Sequence, residues 1–392
     1  MNTEKIIEKY DGAVVHSYGR LPLAEQKGSG ASCVDADGRE YIDFGSGIGT
    51  NSLGFADSEW ADAVSAQAHT VQHTSNYYYN ETSAKFAEKL TEMTGMSKLF
   101  FGNSGAEANE CAIKTARKYS FDKYGKGRNT IITLVNSFHG RTIATLSATG
   151  QDVFHNYFFP FVDGFKFCPI NDIDALKEMV DDTVCAIMFE VIQGEGGVNA
   201  LYTPFLEAIF EIAAEKDIVT IADEVQCGCG RTGKFLAVEH HGVKPDIVTM
   251  AKGLGGGLPI GVCLMGEKVA NVLTPGTHGS TFGGNPVVCA GGLVVLERLS
   301  SEGFLDEVEK KGAYFGDKLI ELPHVTGVSG LGLMIGVTLD GLDAHDVMEK
   351  CLEKGLLVLT AKEKLRLLPP LTITYDEIDK GLEILRGVLE EI

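Results

Sequence analysis

Five short apolar runs, rich in β-branched residues, recur in the middle of the chain: Asn129–Val135, Cys185–Val191, Asp217–Ala222, Asp246–Met250 and Gly261–Met265. Runs of this length without polar alternation predict strands buried on both faces. Helical patterns lie between them. Thr203 is predicted as an N-cap and Pro204 as the first helical residue of FLEAIFEIAAEK, because proline's fixed φ and missing N–H suit that position. Strand and helix in alternation predict an α/β fold with a mostly parallel sheet covered by helices, which binds ligands beyond the carboxyl ends of its strands. From about residue 290 the texture shifts to long amphipathic stretches, Ser301–Leu322 and Asp376–Ile392, and in the latter Ile378, Leu382, Leu385 and Leu389 fall on one helical face. Near the N-terminus, Asp35-Ala36-Asp37-Gly38 separates short extended segments and predicts a hairpin turn. The expected division is a large α/β domain over 61–289 and a smaller α+β domain made from 1–60 together with 290–392.

Composition narrows the function classes. A chain of 392 residues with 44% hydrophobic and 22% charged residues can bury a sizeable core. Acidic residues outnumber basic ones, 54 to 34, for a formal charge of −20, a balance that repels phosphate backbones and disfavours a nucleic-acid partner. Glycine is abundant, 47 residues, and clusters in bursts, the pattern of loops that bring backbone close to a ligand. Nine scattered cysteines form no dense framework, which points to reduced thiols and a cytoplasmic protein. Met1–Tyr10 has no apolar run, and no stretch approaches the length of a membrane span, so neither a secretion signal nor a membrane anchor is expected.

The chemistry-bearing residues gather at predicted strand ends. In DIVTMAKGLGGGLPIG a buried run ends at Lys252 and is followed at once by glycines. Partial burial destabilises an ammonium, as a Schiff-base lysine requires, and the glycines let a bulky group reach its tip; an ordinary surface lysine is the alternative. In IVTIADEVQCGCGRTG another strand delivers Asp223 and Glu224. Gly228, Gly230 and Gly233 match G-x-G-x-x-G, but no helix opens there and the acidic pair precedes the glycines, so a dinucleotide site is rejected. Cys227 and Cys229 lack a second pair, and no metal is expected. In KLFFGNSGAEANECAIKTA a helix opening on Ser104-Gly105 offers free N–H groups to a phosphate, or is simply N-capped. NSFHGRT supplies Phe138 to cover a planar ring, Arg141 to grip a carboxylate, and His139 as a base or a packed residue. EVIQGEGG holds Glu190 and Glu195, which could serve as a carboxylate pair for glycoside chemistry, with nothing else to support a sugar site. A phosphate cradle, a ring cover, a carboxylate for a ring nitrogen, an arginine and a reactive lysine form the inventory of a pyridoxal-phosphate enzyme.

With these motifs the chain, from about Tyr18 onward, resembles the class III aminotransferases among the fold type I pyridoxal-phosphate enzymes. The resemblance implies pyridoxal 5'-phosphate as cofactor, Lys252 as the Schiff-base lysine and Asp223 as partner of the pyridine nitrogen. It places Val225 and Phe138 on the two ring faces, Gln226 on the ring hydroxyl, and Ser104, Gly105 and Ala106 on the phosphate. Thr281, in GSTFGGNP, is implied to reach the phosphate of a neighbouring subunit, so a homodimer with shared sites is expected. Arg141 matches the substrate-carboxylate arginine, and Glu195 with Arg366, in LRLLPPL, matches a pair that opens and closes between the half-reactions. Tyr18 in YGRLP, the HTSNYYYN run and GLGGGLPIG look most like the acetylornithine aminotransferases, and Ile48 stands where ornithine enzymes carry tyrosine. The implied reaction is transfer of the amino group of N2-acetyl-L-ornithine to 2-oxoglutarate. Related enzymes acting on ornithine, 4-aminobutyrate or N-succinyl-diaminopimelate are the alternative, as is a decarboxylase, racemase or aminomutase on the same scaffold. Val191 for proline, Cys227 for threonine and GFADSEW depart from the family pattern without removing a catalytic group.

Overall fold

The computed structural model describes residues 1–392. Its central sheet has seven strands in the order Lys98–Gly102, Gly261–Met265, Ile247–Met250, Val219–Asp223, Val184–Phe189, Thr130–Leu134 and Phe165–Cys168. Only Gly261–Met265 runs antiparallel to its neighbours. Two apolar layers explain why the strand runs lack polar alternation. On one face Ile131, Met188, Ile221 and Cys263 pack with Cys111, Ala112 and Ala116 of the helix Gly105–Tyr124. On the other Ile132, Ile187, Val248 and Leu264 pack with Phe205, Leu206 and Ile209 of the helix Thr203–Lys216. Successive side chains still point to opposite faces, but both faces are apolar.

Element ends differ from expectation where side chains found other partners. The helix predicted to be capped by Thr203 starts at that residue, with Tyr202 at the cap position. Thr203 Oγ1 bonds instead to His241 Nδ1 at 2.9 Å, and Tyr202 N is held by Asn171 Oδ1 at 2.8 Å. Asp217, expected to begin a strand, ends that helix in the left-handed region at φ +50°. Its carboxylate is taken by Tyr119, Lys123 and Tyr124, and the strand begins at Val219. After Asp223 no α-helix opens on the glycines; the chain makes only a short 3-10 turn, Ala237–His241.

The reversal of Gly261–Met265 positions the site. Because it is antiparallel to Ile247–Met250, the connection Ala251–Ile260 turns back at the carboxyl end of the sheet, and Lys252 with its glycines stays there. Both chain ends share a second sheet, in which Leu356–Leu357 pairs in parallel with Glu40–Asp43. The Ser32–Asp35 and Glu40–Asp43 strands form the expected hairpin. A third sheet combines Val325–Leu331, Met334–Leu339, Lys364–Leu367 and Leu359–Ala361. We propose the division into 61–289 and the joined segments 1–60 and 290–392; at its seams the helices Ser58–Thr70 and Pro286–Leu299 pack on one another. No helix is long and apolar enough to cross a membrane.

Candidate active site

The carboxyl ends of the sheet enclose a cavity of about 500 Å³ lined by Ser104, Gly105, Ala106, Phe138, Arg141, Asp223, Val225, Gln226 and Lys252. A larger one, about 690 Å³, lies against the terminal sheet and has none of these strand-end residues in its wall. At the floor of the first, Ser104 caps the helix Gly105–Tyr124 in extended conformation, its Oγ accepting from Glu107 N at 3.2 Å. The helix therefore presents its first N–H groups to the cavity, where an anion is favoured. A Cβ at residue 105 would lie 2.7 Å from Val225 Cγ1, so glycine is what permits the close approach of the helix start and Val225.

Asp223, 3% exposed, is the last residue of its strand and is surrounded by donors. Oδ2 accepts from Asn109 Nδ2 at 2.8 Å and meets His139 Nδ1 at 2.8 Å, while Oδ1 accepts from Val225 N at 3.1 Å. Asn109 is itself oriented by Thr249 Oγ1, which donates to its Oδ1 at 2.7 Å. His139 is thus a packed residue of this network, and its Nε2 is buried without a partner. Asn109 and Thr249 were not singled out in the sequence. The signal for Asn109 was a polar residue on the buried face of a helix otherwise lined by Ala108, Cys111 and Ala112; such residues are buried only when bonded.

Lys252 follows Met250 by two residues and sits in the left-handed region at φ +45°. It is partly open to the cavity, and loss of solvation, opposed by the charges of Glu195 and Asp223, lowers its pKa to about 8. Glu190 lies buried beside it and accepts from Phe138 N at 3.1 Å. Burial and then the Asp223 charge push Glu190 well above the usual carboxylate range. Glu224, fully buried, is raised to about 7 by burial, and its carboxylate binds Ala237 N and Val238 N at 2.8 and 2.9 Å, outside the cavity.

Glu195 and Arg366 form an ion pair of 2.5 Å, with Arg366 only 4% exposed. Burial pushes Glu195 up, but the charge and hydrogen bond of Arg366 outweigh it and hold the carboxyl low. Arg141 has no carboxylate partner; its guanidinium lies 4.1 Å from the Phe154 ring centre and 5.5 Å from that of Phe138. Five expected residues do not line this cavity; Glu195 and Arg366 are joined to its wall through Gln226. Tyr18 is 76% exposed, Ile48 lines a neighbouring cavity of about 640 Å³ beneath the helix Thr3–Asp11, and Thr281 is exposed on a loop.

Residues 13–389 match the family described as aminotransferase class-III. The chain belongs to this family. It is 51% identical over 394 residues to the acetylornithine aminotransferase of Haemophilus ducreyi, covering 100% of both chains. Among solved structures it is similar to the ornithine aminotransferase of Toxoplasma gondii, with TM-score 0.95 and 33% identity over 100% of this chain and 96% of that one. It is also similar to the acetylornithine aminotransferase of Elizabethkingia anophelis, with TM-score 0.89 and 32% identity over 100% of each. The chain is a class III aminotransferase of the α/β fold expected, a mixed sheet covered by helices.

Proposed function

We propose that this aminotransferase binds pyridoxal phosphate and transfers the amino group of N2-acetyl-L-ornithine to 2-oxoglutarate, giving N-acetyl-L-glutamate 5-semialdehyde and L-glutamate, a step of arginine biosynthesis in the cytoplasm. The substrate reading is supported by the full-length relative at 51% identity. The cofactor reading is supported by the donor set around the cavity. A helix N-terminus suits a phosphate, a carboxylate held by Asn109, His139 and Val225 suits a protonated ring nitrogen, and a lysine with pKa about 8 suits an aldehyde. Bound there, the cofactor supplies an electron sink that makes the substrate's C–H acidic.

The remaining steps belong to the chain. Ser104, Gly105 and Ala106 hold the phosphate; Phe138 and Val225 cover the ring faces, and Gln226 reaches the ring hydroxyl. Asp223 keeps a proton on the ring nitrogen. The Lys252 amine would take a proton from the substrate carbon bearing the amine and return it to the carbon on the other side of that nitrogen, the cofactor's former aldehyde carbon, acting as base and then acid. Arg141 grips the α-carboxylate of acetylornithine, with Tyr18 and Ile48 beside the substrate, and takes the distal carboxylate of 2-oxoglutarate. Arg366 takes the α-carboxylate of 2-oxoglutarate once Glu195 releases it. Thr281, exposed here, reaches the phosphate of a second subunit, which makes the active form a homodimer.

The test is the visible spectrum of the purified, cofactor-loaded protein, with N-acetylornithine, ornithine or 4-aminobutyrate added separately and no acceptor. Bleaching fastest with N-acetylornithine is expected. Fastest bleaching with ornithine would reassign the donor, and repeated product release with no 2-oxo acid, the absorbance band persisting, would favour a decarboxylase, racemase or aminomutase.

A further inference from the structure

We propose that Gln226 is a third member of the Glu195–Arg366 gate, a positioning residue that holds the gate shut and so biases the site against the dicarboxylate acceptor. This rests on the reading that Glu195 releases Arg366 in one half-reaction. The Gln226 amide lies between the two charges. Its Oε1 accepts from Arg366 Nη1 at 3.1 Å, and its Nε2 donates to Glu195 Oε1 at 3.4 Å. The same Nη1 and Oε1 make the direct ion pair at 2.5 Å, so three side chains close a ring on one donor and one acceptor.

The neighbours dictate which way the amide points. Its oxygen faces a guanidinium and its NH₂ a carboxylate; the flipped amide would set donor against donor and acceptor against acceptor. It is also clamped sterically. A Cβ on residue 194 would lie 2.1 Å from Gln226 Oε1, so the backbone leading into Glu195 presses directly on the amide. Gln226 is three residues past Asp223 at the strand end, which ties this clamp to the rigid sheet. Nε2 keeps a second hydrogen, the one available to the cofactor's ring hydroxyl, so both tasks fit one side chain.

The direction of the bias follows from which bonds survive opening. When Glu195 moves away, the bond from Gln226 Nε2 is lost, whereas that from Arg366 Nη1 has no need to break. The amide therefore favours the shut state by the Glu195 bond alone, and at 3.4 Å this corresponds to roughly threefold to tenfold in the equilibrium. Arg366 Nε is buried without any partner, so the guanidinium keeps a donor for an incoming carboxylate once Glu195 departs.

The experiment measures binding of glutarate, an unreactive dicarboxylate, to the cofactor-loaded protein by calorimetry at equal cofactor occupancy. Gln226→Met is nearly isosteric and makes neither bond. It is expected to bind glutarate roughly threefold to tenfold more tightly than the wild type, and to shift the ratio of kcat/KM for 2-oxoglutarate to that for N-acetylornithine by a similar factor toward the acceptor. A loss that comes only from the missing ring contact affects both half-reactions and cancels in that ratio. In a Glu195→Ala background, the Gln226→Met change is expected to add nothing to glutarate affinity. Unchanged or weaker glutarate binding in Gln226→Met, or an undiminished effect in the Glu195→Ala background, would overturn the role of Gln226. If Glu195→Ala alone leaves glutarate affinity unchanged, the gate itself fails and this proposal with it, while the aminotransferase reading stands.

Discussion

Lys252 carries two costs that an ordinary surface lysine avoids: a left-handed backbone at φ +45° and partial loss of solvent around its amine. The second cost is visible without catalysis. The folded pKa, about 8, lies below the unperturbed 10.5, so between these values the unfolded chain binds more protons than the native one. For cofactor-free protein this contribution to stability is present above about 10.5 and is lost as pH falls through about 8. Lys252→Met should therefore flatten the pH dependence of urea denaturation across this window, by up to about 3 kcal/mol. Parallel curves for the two proteins would show that the amine is not desolvated. Lys252 and Asp223 were legible in the sequence because each ends a buried apolar run beside glycines or an acid. The partners that orient Asp223 were not. Asn109 is 114 residues from Asp223, and Thr249 is 140 from Asn109, and no local pattern joins them.

Elements were legible where one face is apolar. In the helix Tyr375–Glu391 the predicted stripe Ile378, Leu382, Leu385 and Leu389 is buried, because a 3.6-residue period survives whatever the helix packs against. What it packs against was not legible. Gly381 lies on the same helix, and a Cβ there would sit 2.1 Å from Phe44 Cζ, whose ring meets Phe315 edge-on at 4.9 Å. Gly381→Ala should overpack this contact and lower stability by about 1–3 kcal/mol in urea denaturation, with helix propensity acting in the opposite direction and too weak to cancel it. An unchanged or raised midpoint would mean that Phe44 can repack freely. Element ends were the weakest expectation. Thr203 and Asp217 carry side chains that suit more than one role, and His241, Tyr119, Lys123 and Tyr124 decided between them.

For the whole molecule, one chain encloses the strand-end residues but leaves Tyr18, Tyr77, Tyr79, Thr281 and Phe282 exposed. The proposed homodimer, in which a second copy contributes Thr281, is open to a mixing test. Lys252→Ala and Thr281→Ala proteins, each with little activity, should on subunit exchange recover about a quarter of wild-type activity. Half of the dimers are then mixed, and each mixed dimer holds one intact site. No recovery, with exchange demonstrated by mass, would place Thr281 outside the partner's site. The sequence by itself determined the kinds of element, the strand-end inventory of lysine, carboxylate, arginine and a helix opening on Ser104-Gly105, and with them the resemblance to class III aminotransferases. These are encoded locally, in side-chain period and in which residue follows a buried run. Only the tertiary structure decided the sheet order, the pairing of Leu356–Leu357 with Glu40–Asp43, the Asn109–His139–Thr249 setting of Asp223 and the wedging of Gln226 between Glu195 and Arg366. Such contacts join groups far apart in the chain, and they form only when packing of both sheet faces brings those strand ends to one edge.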